Sequence, residues 1–246
     1  GDVRSAGDAR TGNTGSARLM WQYTAIMSLA VFVAFVLSRR TQRGLGLAPA
    51  ERLGVGLGAF CGAMIGAKLP FVFTDWQAFL SGAAWFSDGK TILLGLAGGY
   101  VGVEAAKWSL GVRTRTGDSF ALPVAAAIAI GRIGCFAGGC CFGAPTSLPW
   151  GVVFPQVDQQ PRHPVQLYEA AFHTVAAVIL GVGLQRQWCR GQLIKIYIIT
   201  YAGWRFLTEY IRPEIRIFAG LTWYQWASLV LLAGFGWLWY RDTRPR

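Results

Sequence analysis

The sequence predicts an all-α integral membrane protein with seven transmembrane helices. Charged residues make up 14% of the 246 residues, whereas about 25% is usual in a soluble domain. Apolar residues make up 53%, and they are gathered into stretches close to the ~20 residues that one bilayer crossing needs. The net charge of +11 comes from Arg clusters between these stretches. That pattern is typical of topogenic charge, so we expect a membrane environment and no nucleic-acid partner.

Seven apolar stretches qualify as spans. They cover residues 21–37, 54–73, 91–110, 120–137, 164–184, 193–211 and 222–240. Eleven Arg residues lie in the connections after the first, third, fifth and last spans: Arg39, Arg40, Arg43, Arg52, Arg113, Arg115, Arg186, Arg190, Arg241, Arg244 and Arg246. Because cytoplasmic loops are rich in Lys and Arg, this asymmetry predicts an amino terminus outside and a carboxyl terminus in the cytoplasm.

The remaining segments complete the predicted organisation. Residues 1–20 are polar and rich in Gly, Ser, Thr and Arg, which is typical of a disordered tail or a remnant of cloning or processing. Residues 21–246 then form a single polytopic domain. The loops 74–90 and 138–163 are long enough to build a small extracytoplasmic cap.

Several ionisable side chains interrupt the apolar spans. They are Lys68, Glu104, Lys107, Arg132, Glu169, His173, Lys195, Arg205 and Glu209. A charge near the bilayer centre costs about 2.5–3.5 kcal/mol unless it faces protein, water or a partner. Lys107 and Lys195 lie near predicted cytoplasmic ends, where long side chains snorkel. The others are functional candidates, although we expect His173 to be a packing histidine.

Two groups of these residues follow helical spacing. Arg205, Glu209 and Arg212 stand at i, i+4 and i+7, so an Arg205–Glu209 bridge leaves one guanidinium available to a ligand. Gln166, Glu169 and His173 share a face in the same way. In the glycine-rich segment 131–143, glycines permit close approach and Arg132 supplies a fixed positive charge. This combination indicates anion recognition, for instance of a phosphate.

These motifs resemble those of the prolipoprotein diacylglyceryl transferase family of bacterial inner-membrane enzymes. The segment 131–143 matches the family's GRxGNFxNxExxG signature in part, through Gly131, Arg132, Gly134, Phe136 and Gly143. Residues 162–169, RHPVQLYE, are close to its RHPSQLYE. Arg205-x-x-x-Glu209-x-x-Arg212, followed by LTWYQ at 221–225, resembles its final-span pattern. Lys68, Gly98, Gly99 and Asp118 fall in matching order, and the likeness covers about residues 20–240.

The resemblance implies transfer of a diacylglyceryl group from phosphatidylglycerol to a cysteine thiol of a prolipoprotein, with no cofactor. It implies that Arg132 and Arg205 hold the phosphate, that Glu169 and Glu209 orient them, and that Gln166 and Tyr168 hydrogen-bond the headgroup. Further substrate-binding positions implied by the likeness are Lys68, Gly98, Gly99, Asp118, Gly131, Gly134, Cys135 and Arg212.

The chain departs from the family pattern at several positions. The signature Asn and Glu residues are replaced by Cys135, Gly138 and Cys140, and the His that the family has before Gly98 is Ala97. That His is the family's candidate for activating the acceptor thiol, so here deprotonation must come from His163, from a carboxylate, or not at all. One alternative is therefore a divergent paralogue with another acceptor. Another is a non-catalytic membrane protein that handles lipid, thiols or metal.

The five cysteines divide into two sets. Cys61 is expected to be a small apolar residue within a span, and Cys189 a reduced cytoplasmic thiol. Cys135, Cys140 and Cys141 could form a disulfide, a soft-metal site, a reactive thiol or simple packing. We count Cys140 and Cys141 with Arg132, Arg205 and His163 as catalytic candidates. No residue is assigned to a metal, because CxxxxCC is not a recognised zinc spacing.

Overall fold

The computed structural model describes residues 5–74, Gln77, Leu80 and 91–244, with side chains left out for 5–19 and 71–74. Within these ranges the chain is mostly helical, as predicted. The helices are α1 Ser5–Gln42, α2 Pro49–Thr74, α3 Ile92–Leu110, α4 Gly117–Ala137, α5 Val165–Gln185, α6 Leu193–Thr208 and α7 Trp223–Thr243. Helix α1 begins inside the segment 1–20 that the sequence predicts as a tail. The loop 74–90 of the predicted cap lies outside the described residues, apart from Thr74, Gln77 and Leu80.

Four stretches of the described helices are long and apolar enough to cross a membrane. They are Met20–Leu45, Pro49–Pro70, Gly117–Ala137 and Val165–Gln185. The other three helices differ for identifiable reasons: α3 carries Glu104 and Lys107, α6 has only 16 residues, and α7 is rich in Trp and Tyr. The chain is therefore a multi-pass membrane protein, and the count of seven spans stays a prediction.

The described chain separates into two compact units. The first consists of Gly1–Arg40, Leu122–Val182 and Ile211–Pro213, and the second of Thr41–Ala121, Gly183–Tyr210 and Glu214–Arg246. In the first unit, glycines of α4 meet side chains of α1. A Cβ added at Gly134 would lie 3.3 Å from Cγ2 of Ile26, and one at Gly138 would lie 3.1 Å from Cδ2 of Tyr23. These glycines thus let the two helices pack closely.

The loop 138–163 of the first unit forms a small folded lobe. Strands β1 Val152–Val153 and β2 Pro161–Arg162 pair antiparallel. Phe154 is buried and anchors this lobe, since its ring lies 6.1 Å from that of Phe136 and 5.7 Å from that of Phe142. The described part of the predicted cap is therefore a packed structure.

In the second unit, helices α2 and α3 meet backbone to backbone. A Cβ at Gly62 would overlap the carbonyl oxygen of Gly98, and a Cβ at Gly102 would overlap that of Gly58. Small residues at four-residue spacing allow this approach, as in many membrane helix pairs. Strands β3 Arg216–Phe218 and β4 Leu221–Thr222 precede α7 and pair antiparallel.

Candidate active site

A buried group of three charges occupies the first unit; we call Arg132, Glu169 and Arg212 the Arg132 cluster. Glu169 on α5 is 1% exposed and forms ion pairs with both arginines. One carboxylate oxygen meets Nη2 of Arg132 on α4, and the other lies 2.6 Å from Nη2 of Arg212. Two cations share one anion, so the cluster has a net charge of about +1 in a place largely closed to water.

Gln166 lies one turn before Glu169 on α5 and is fully buried. Its Nε2 donates a hydrogen bond to the backbone oxygen of Cys140, at 2.7 Å. Among the described residues its Oε1 has no hydrogen-bond partner, and neither does Nε of Arg212. Buried polar atoms normally have partners, so these two atoms are places where a polar ligand group could bind.

His163 and Tyr168 form a second polar group of the first unit. Nδ1 of His163 lies 3.4 Å from the Tyr168 hydroxyl, which accepts a 2.7 Å hydrogen bond from Nε1 of Trp150. The backbone oxygen of His163 accepts from the N–H of Gly143 at 2.9 Å. A Cβ at Gly143 would lie 2.6 Å from Cβ of His163, so glycine is required for this contact.

Arg162 of the RHPVQLYE motif makes its contacts within the folded lobe. Its guanidinium pairs with Asp158 and donates to the backbone oxygen of Gly143, at 3.2 Å. It also lies 5.0 Å from the centre of the Phe142 ring. Hydrogen bonding from Arg162 holds the pKa of the Asp158 carboxyl below its usual range. Arg162 therefore holds the folded lobe together.

Three cysteines converge at the end of α4. All five cysteines are free thiols, and the sulfur atoms of Cys135, Cys140 and Cys141 lie within 4.8 Å of one another. The Cys135 and Cys140 thiols, with Arg132, lower the pKa of the Cys141 thiol because they stabilise its thiolate. The pKa of Cys140 is raised, since its hydrogen bonds with Cys135 and Cys141 hold its proton.

The second unit contains its own buried ion pair. Nη2 of Arg205 on α6 lies 2.7 Å from Oε2 of Glu209, and both residues are buried. Glu209 also accepts a 2.9 Å hydrogen bond from the Thr222 hydroxyl. The Arg205 guanidinium lies 4.7 Å from the centre of the Tyr224 ring. Thr222 caps α7 in a capping box with Gln225, which explains the LTWYQ pattern locally.

The prediction that Arg205, Glu209 and Arg212 share one helix face is wrong for Arg212. Helix α6 ends at Thr208, and a single 3-10 turn, Glu209–Ile211, follows it. Arg212 lies after that turn and pairs with Glu169. The i, i+4 spacing places Arg205 and Glu209 together because the turn begins only at Glu209, whereas the i+7 position requires the helix to continue.

Three other candidates of the second unit, Gly98, Gly99 and Asp118, have contacts that support the fold. Gly98 lies against the backbone of Gly62, and Gly99 lies near Ala63 and the carbonyl oxygen of Ala59. Asp118 accepts hydrogen bonds from the backbone N–H groups of Gly191 and Leu193, at the start of α6. Their roles toward a substrate stay predictions.

Two lysines of the predicted spans, Lys68 and Lys195, are both buried. Lys68 is 1% exposed. Lys195 is 4% exposed and contacts Asp242 and Gln192, so its charge is met by protein groups instead of by snorkelling. Lys107 pairs with Glu104 at 3.0 Å.

In the first unit, Gly131 and Gly134 lie against Met27 of α1, at distances of 3.6 and 3.4 Å from an added Cβ to the Met sulfur. His173 is fully buried beside Phe172, in agreement with a packing histidine. Sequence reasoning gave no role to Trp150, and it quoted Tyr224 only as part of the LTWYQ motif. Their partners, Tyr168 and Arg205, are distant in sequence, so no local spacing pointed to these contacts.

Comparison with known proteins assigns the family. The family model described as prolipoprotein diacylglyceryl transferase matches residues 14–241. The chain belongs to the prolipoprotein diacylglyceryl transferase family. The match extends over both units and includes every candidate residue named above.

Individual relatives agree with this assignment. Proteins named phosphatidylglycerol-prolipoprotein diacylglyceryl transferase are 26% identical in Clostridium tetani, over 80% of this chain and 82% of the relative, and 31% identical in Pseudomonas fluorescens, over 75% and 74%. The relative of that name in Cupriavidus pinatubonensis is 37% identical over 60% of this chain and 59% of its own.

Proposed function

We propose that this chain transfers the diacylglyceryl group of phosphatidylglycerol to a cysteine thiol of a prolipoprotein. The names of its family relatives support the reaction. The observation that carries the proposal for this chain is the Arg132 cluster. It is a buried site with excess positive charge, and within the described part of the chain Nε of Arg212 has no hydrogen-bond partner.

The cluster suits the chemistry of a phosphodiester. The acceptor sulfur attacks the glyceryl carbon, an S–C bond forms, and the C–O bond breaks. Glycerol phosphate leaves with the electron pair of that bond, so negative charge grows on its oxygens. Fixed guanidinium groups in a dry site stabilise such charge strongly. Glu169 keeps Arg132 and Arg212 in place, and Gln166 can receive a hydrogen bond from the headgroup at Oε1.

We propose Arg205 as a further phosphate ligand, and the argument uses only its contacts within the second unit. The guanidinium is buried, and Glu209 and Tyr224 hold it in one orientation. The Thr222 hydroxyl in turn holds Glu209. A guanidinium fixed in this way meets an anion with little loss of side-chain entropy.

The acceptor thiol needs a base, and Ala97 provides none. Ala97 lines a groove of about 690 Å³ whose other lining residues include Ile65, Leu69, Leu94 and Val101. We propose that His163 takes the proton, with Tyr168 fixing the orientation of its ring. An imidazole ring can accept a proton and release it again at neutral pH, which suits this role.

The membrane arrangement is proposed as the sequence predicts it. Seven spans place the amino terminus outside and the carboxyl terminus in the cytoplasm of a bacterial inner membrane. The clustering of Arg residues after alternate spans supports this orientation.

The test is reconstitution of the protein in vesicles with labelled phosphatidylglycerol and a lipobox peptide. We expect a thioether product and glycerol phosphate. Arg132→Ala should lower turnover by about 100-fold or more, since one preorganised charge contributes about 3–4 kcal/mol to such a transition state. Arg205→Ala should do the same.

Arg113→Ala is the matched control, because Arg113 is exposed in the connection between α3 and α4. It should turn over at the normal rate. Normal turnover by Arg132→Ala and Arg205→Ala would reject the assignment of these residues to the phosphate.

Ala97 favours a second candidate function, because the family has at this position the His that is its candidate for activating the acceptor thiol. In that case the chain uses the same lipid with another thiol acceptor. Release of glycerol phosphate that requires a small thiol and ignores the lipobox peptide would favour this candidate over the first.

A further inference from the structure

The three converging cysteines have a structural cause in the way α4 ends. The N–H of Cys140 donates to the oxygen of Cys135 at 3.0 Å, and the N–H of Gly139 donates to the oxygen of Phe136 at 3.1 Å. Gly139 has a φ of 67°, in the left-handed region. This pair of bonds is the Schellman motif, which folds the chain back over the last helical turn. It therefore places the side chain of Cys140 beside that of Cys135, five residues earlier.

Two side-chain amides pin this turn. Nε2 of Gln156 donates to the oxygen of Gly139 at 3.1 Å, and Nε2 of Gln166 donates to that of Cys140 at 2.7 Å. Any Cβ at Gly139 would overlap the Gln156 amide. Cys141 follows with a φ of 62°, a conformation that costs a non-glycine residue energy. The turn is thus held so that the third sulfur also points to the other two.

We propose that Cys135, Cys140 and Cys141 form a binding site for a soft divalent metal ion, held by three thiolate sulfurs. Metal–sulfur bonds of about 2.3 Å place three sulfurs around one ion about 4 Å apart. The observed sulfurs lie within 4.8 Å of one another, so binding requires little movement. Thiolates select soft ions over Mg²⁺ or Ca²⁺.

The charges near the sulfurs agree with this ligand. Three thiolates and one divalent ion have a net charge of −1, which the net positive charge of the Arg132 cluster balances. Arg132 and Arg212 both act on the Cys141 sulfur electrostatically. Each thiol releases its proton to solvent when the ion binds. Cys140 and Cys141 are exposed, so an ion can reach the site.

The site has a consequence for the acceptor thiol, and this consequence rests on the proposed function. A tetrahedral ion bound by three protein sulfurs keeps a fourth position, and a thiol that enters it loses its proton. The metal would lower the pKa of that thiol and His163 would take its proton, so the two together would replace the side chain that Ala97 lacks. Cys140 stands where the family signature has Glu. A metal site would therefore explain both this substitution and the replacement of the family's His by Ala97.

The first experiment uses the full-length protein, reduced and purified in detergent, with Cd²⁺ as the probe. We expect one ion per chain, seen as thiolate-to-cadmium charge-transfer absorption. The number of thiols that react with Ellman's reagent should fall by three on binding, because Cys61 and Cys189 lie outside the site. Cys140→Ser and Cys141→Ser should each weaken binding at least about tenfold.

The control is the double variant Cys61→Ser, Cys189→Ser, which should bind Cd²⁺ with unchanged affinity. Two ligand variants are used so that misfolding of one leaves the other to decide, with elution as a monodisperse peak as the criterion of folding. Absence of the absorption band, or equal affinity in a folded ligand variant, would overturn the site.

A second measurement separates the metal site from its consequence. A lipobox peptide added to the cadmium-loaded protein should increase the charge-transfer band, whereas a peptide with Ser in place of its Cys should not. Cadmium binding without this increase overturns the acceptor role and leaves the site established. Cadmium binding by a protein that fails the lipid-transfer assay rejects the proposed function alone.

Discussion

At the scale of single residues, Glu169 determines whether the buried charges of the first unit are tolerated. Its carboxylate is the anion that both Arg132 and Arg212 contact. Removing one partner of a buried ion pair leaves an uncompensated charge, which is far costlier than losing a pair at the surface. The same reasoning applies to Glu209, which is 2% exposed and contacts Arg205.

Glu169→Gln should destabilise the protein by about 3–5 kcal/mol, because two buried guanidinium groups lose their counter-charge. Thermal unfolding in detergent measures the effect. Glu214→Gln is the control, since Glu214 is exposed in the connection between the 3-10 turn and β3 and should cost less than about 0.5 kcal/mol. Equal losses in the two variants would contradict the central role of Glu169.

At the scale of elements, the positions of glycines decide which helices meet. Along α2, Gly58 and Gly62 face α3 directly, whereas nothing lies within 4 Å of a Cβ added at Gly56. Membrane helices associate through such close packing, because lipid tails are as apolar as the side chains themselves. The same helix thus contains glycines that are required for packing and one that is not.

Gly62→Ala should destabilise the α2–α3 pair by about 1–3 kcal/mol, because the added methyl would overlap the Gly98 carbonyl and push the helices apart. Gly56→Ala should be neutral or stabilise by about 0.5–1 kcal/mol through better helix propensity. The unfolding temperature of each variant in one detergent gives the comparison. A Gly62→Ala protein as stable as Gly56→Ala would show that the close contact is not needed.

At the scale of the whole molecule, the chain is a multi-pass membrane protein of the prolipoprotein diacylglyceryl transferase family. Four stretches qualify as spans by length and apolarity. Of the three other helices, α3 contains an ion pair and α7 many aromatic residues, which lower the mean hydropathy, and α6 has only 16 residues. The orientation of the spans is therefore inferred from the positive charge of the loops.

Cysteine labelling with an impermeant maleimide in intact cells tests the predicted orientation. Cys189, retained as the sole cysteine, should react only after permeabilisation, because it lies in an Arg-rich connection. Gln159→Cys in a background without the native cysteines should react in intact cells, since Gln159 is exposed in the folded lobe. Gln159 and Cys189 lie on either side of α5 in the sequence. Labelling of both positions from the same side of the membrane would therefore contradict a crossing by α5.

The helical membrane class, the family and the Arg205–Glu209 pair can all be inferred from the amino-acid sequence. Apolar length and charge placement are local properties, and an i, i+4 spacing sets contact directly wherever a helix forms. The pairing of Arg212 with Glu169 could not be inferred in this way, since the end of α6 at Thr208 removes Arg212 from the helical face.

The cysteines show the same division. CxxxxCC is not a recognised zinc spacing, yet the Schellman turn at Gly139 brings Cys135 and Cys140 together. The turn depends on the left-handed φ of one glycine and on amides of Gln156 and Gln166 from distant parts of the chain. The sequence contained the three sulfurs, and the tertiary structure decided that they meet, because contacts between distant segments set the path of the backbone.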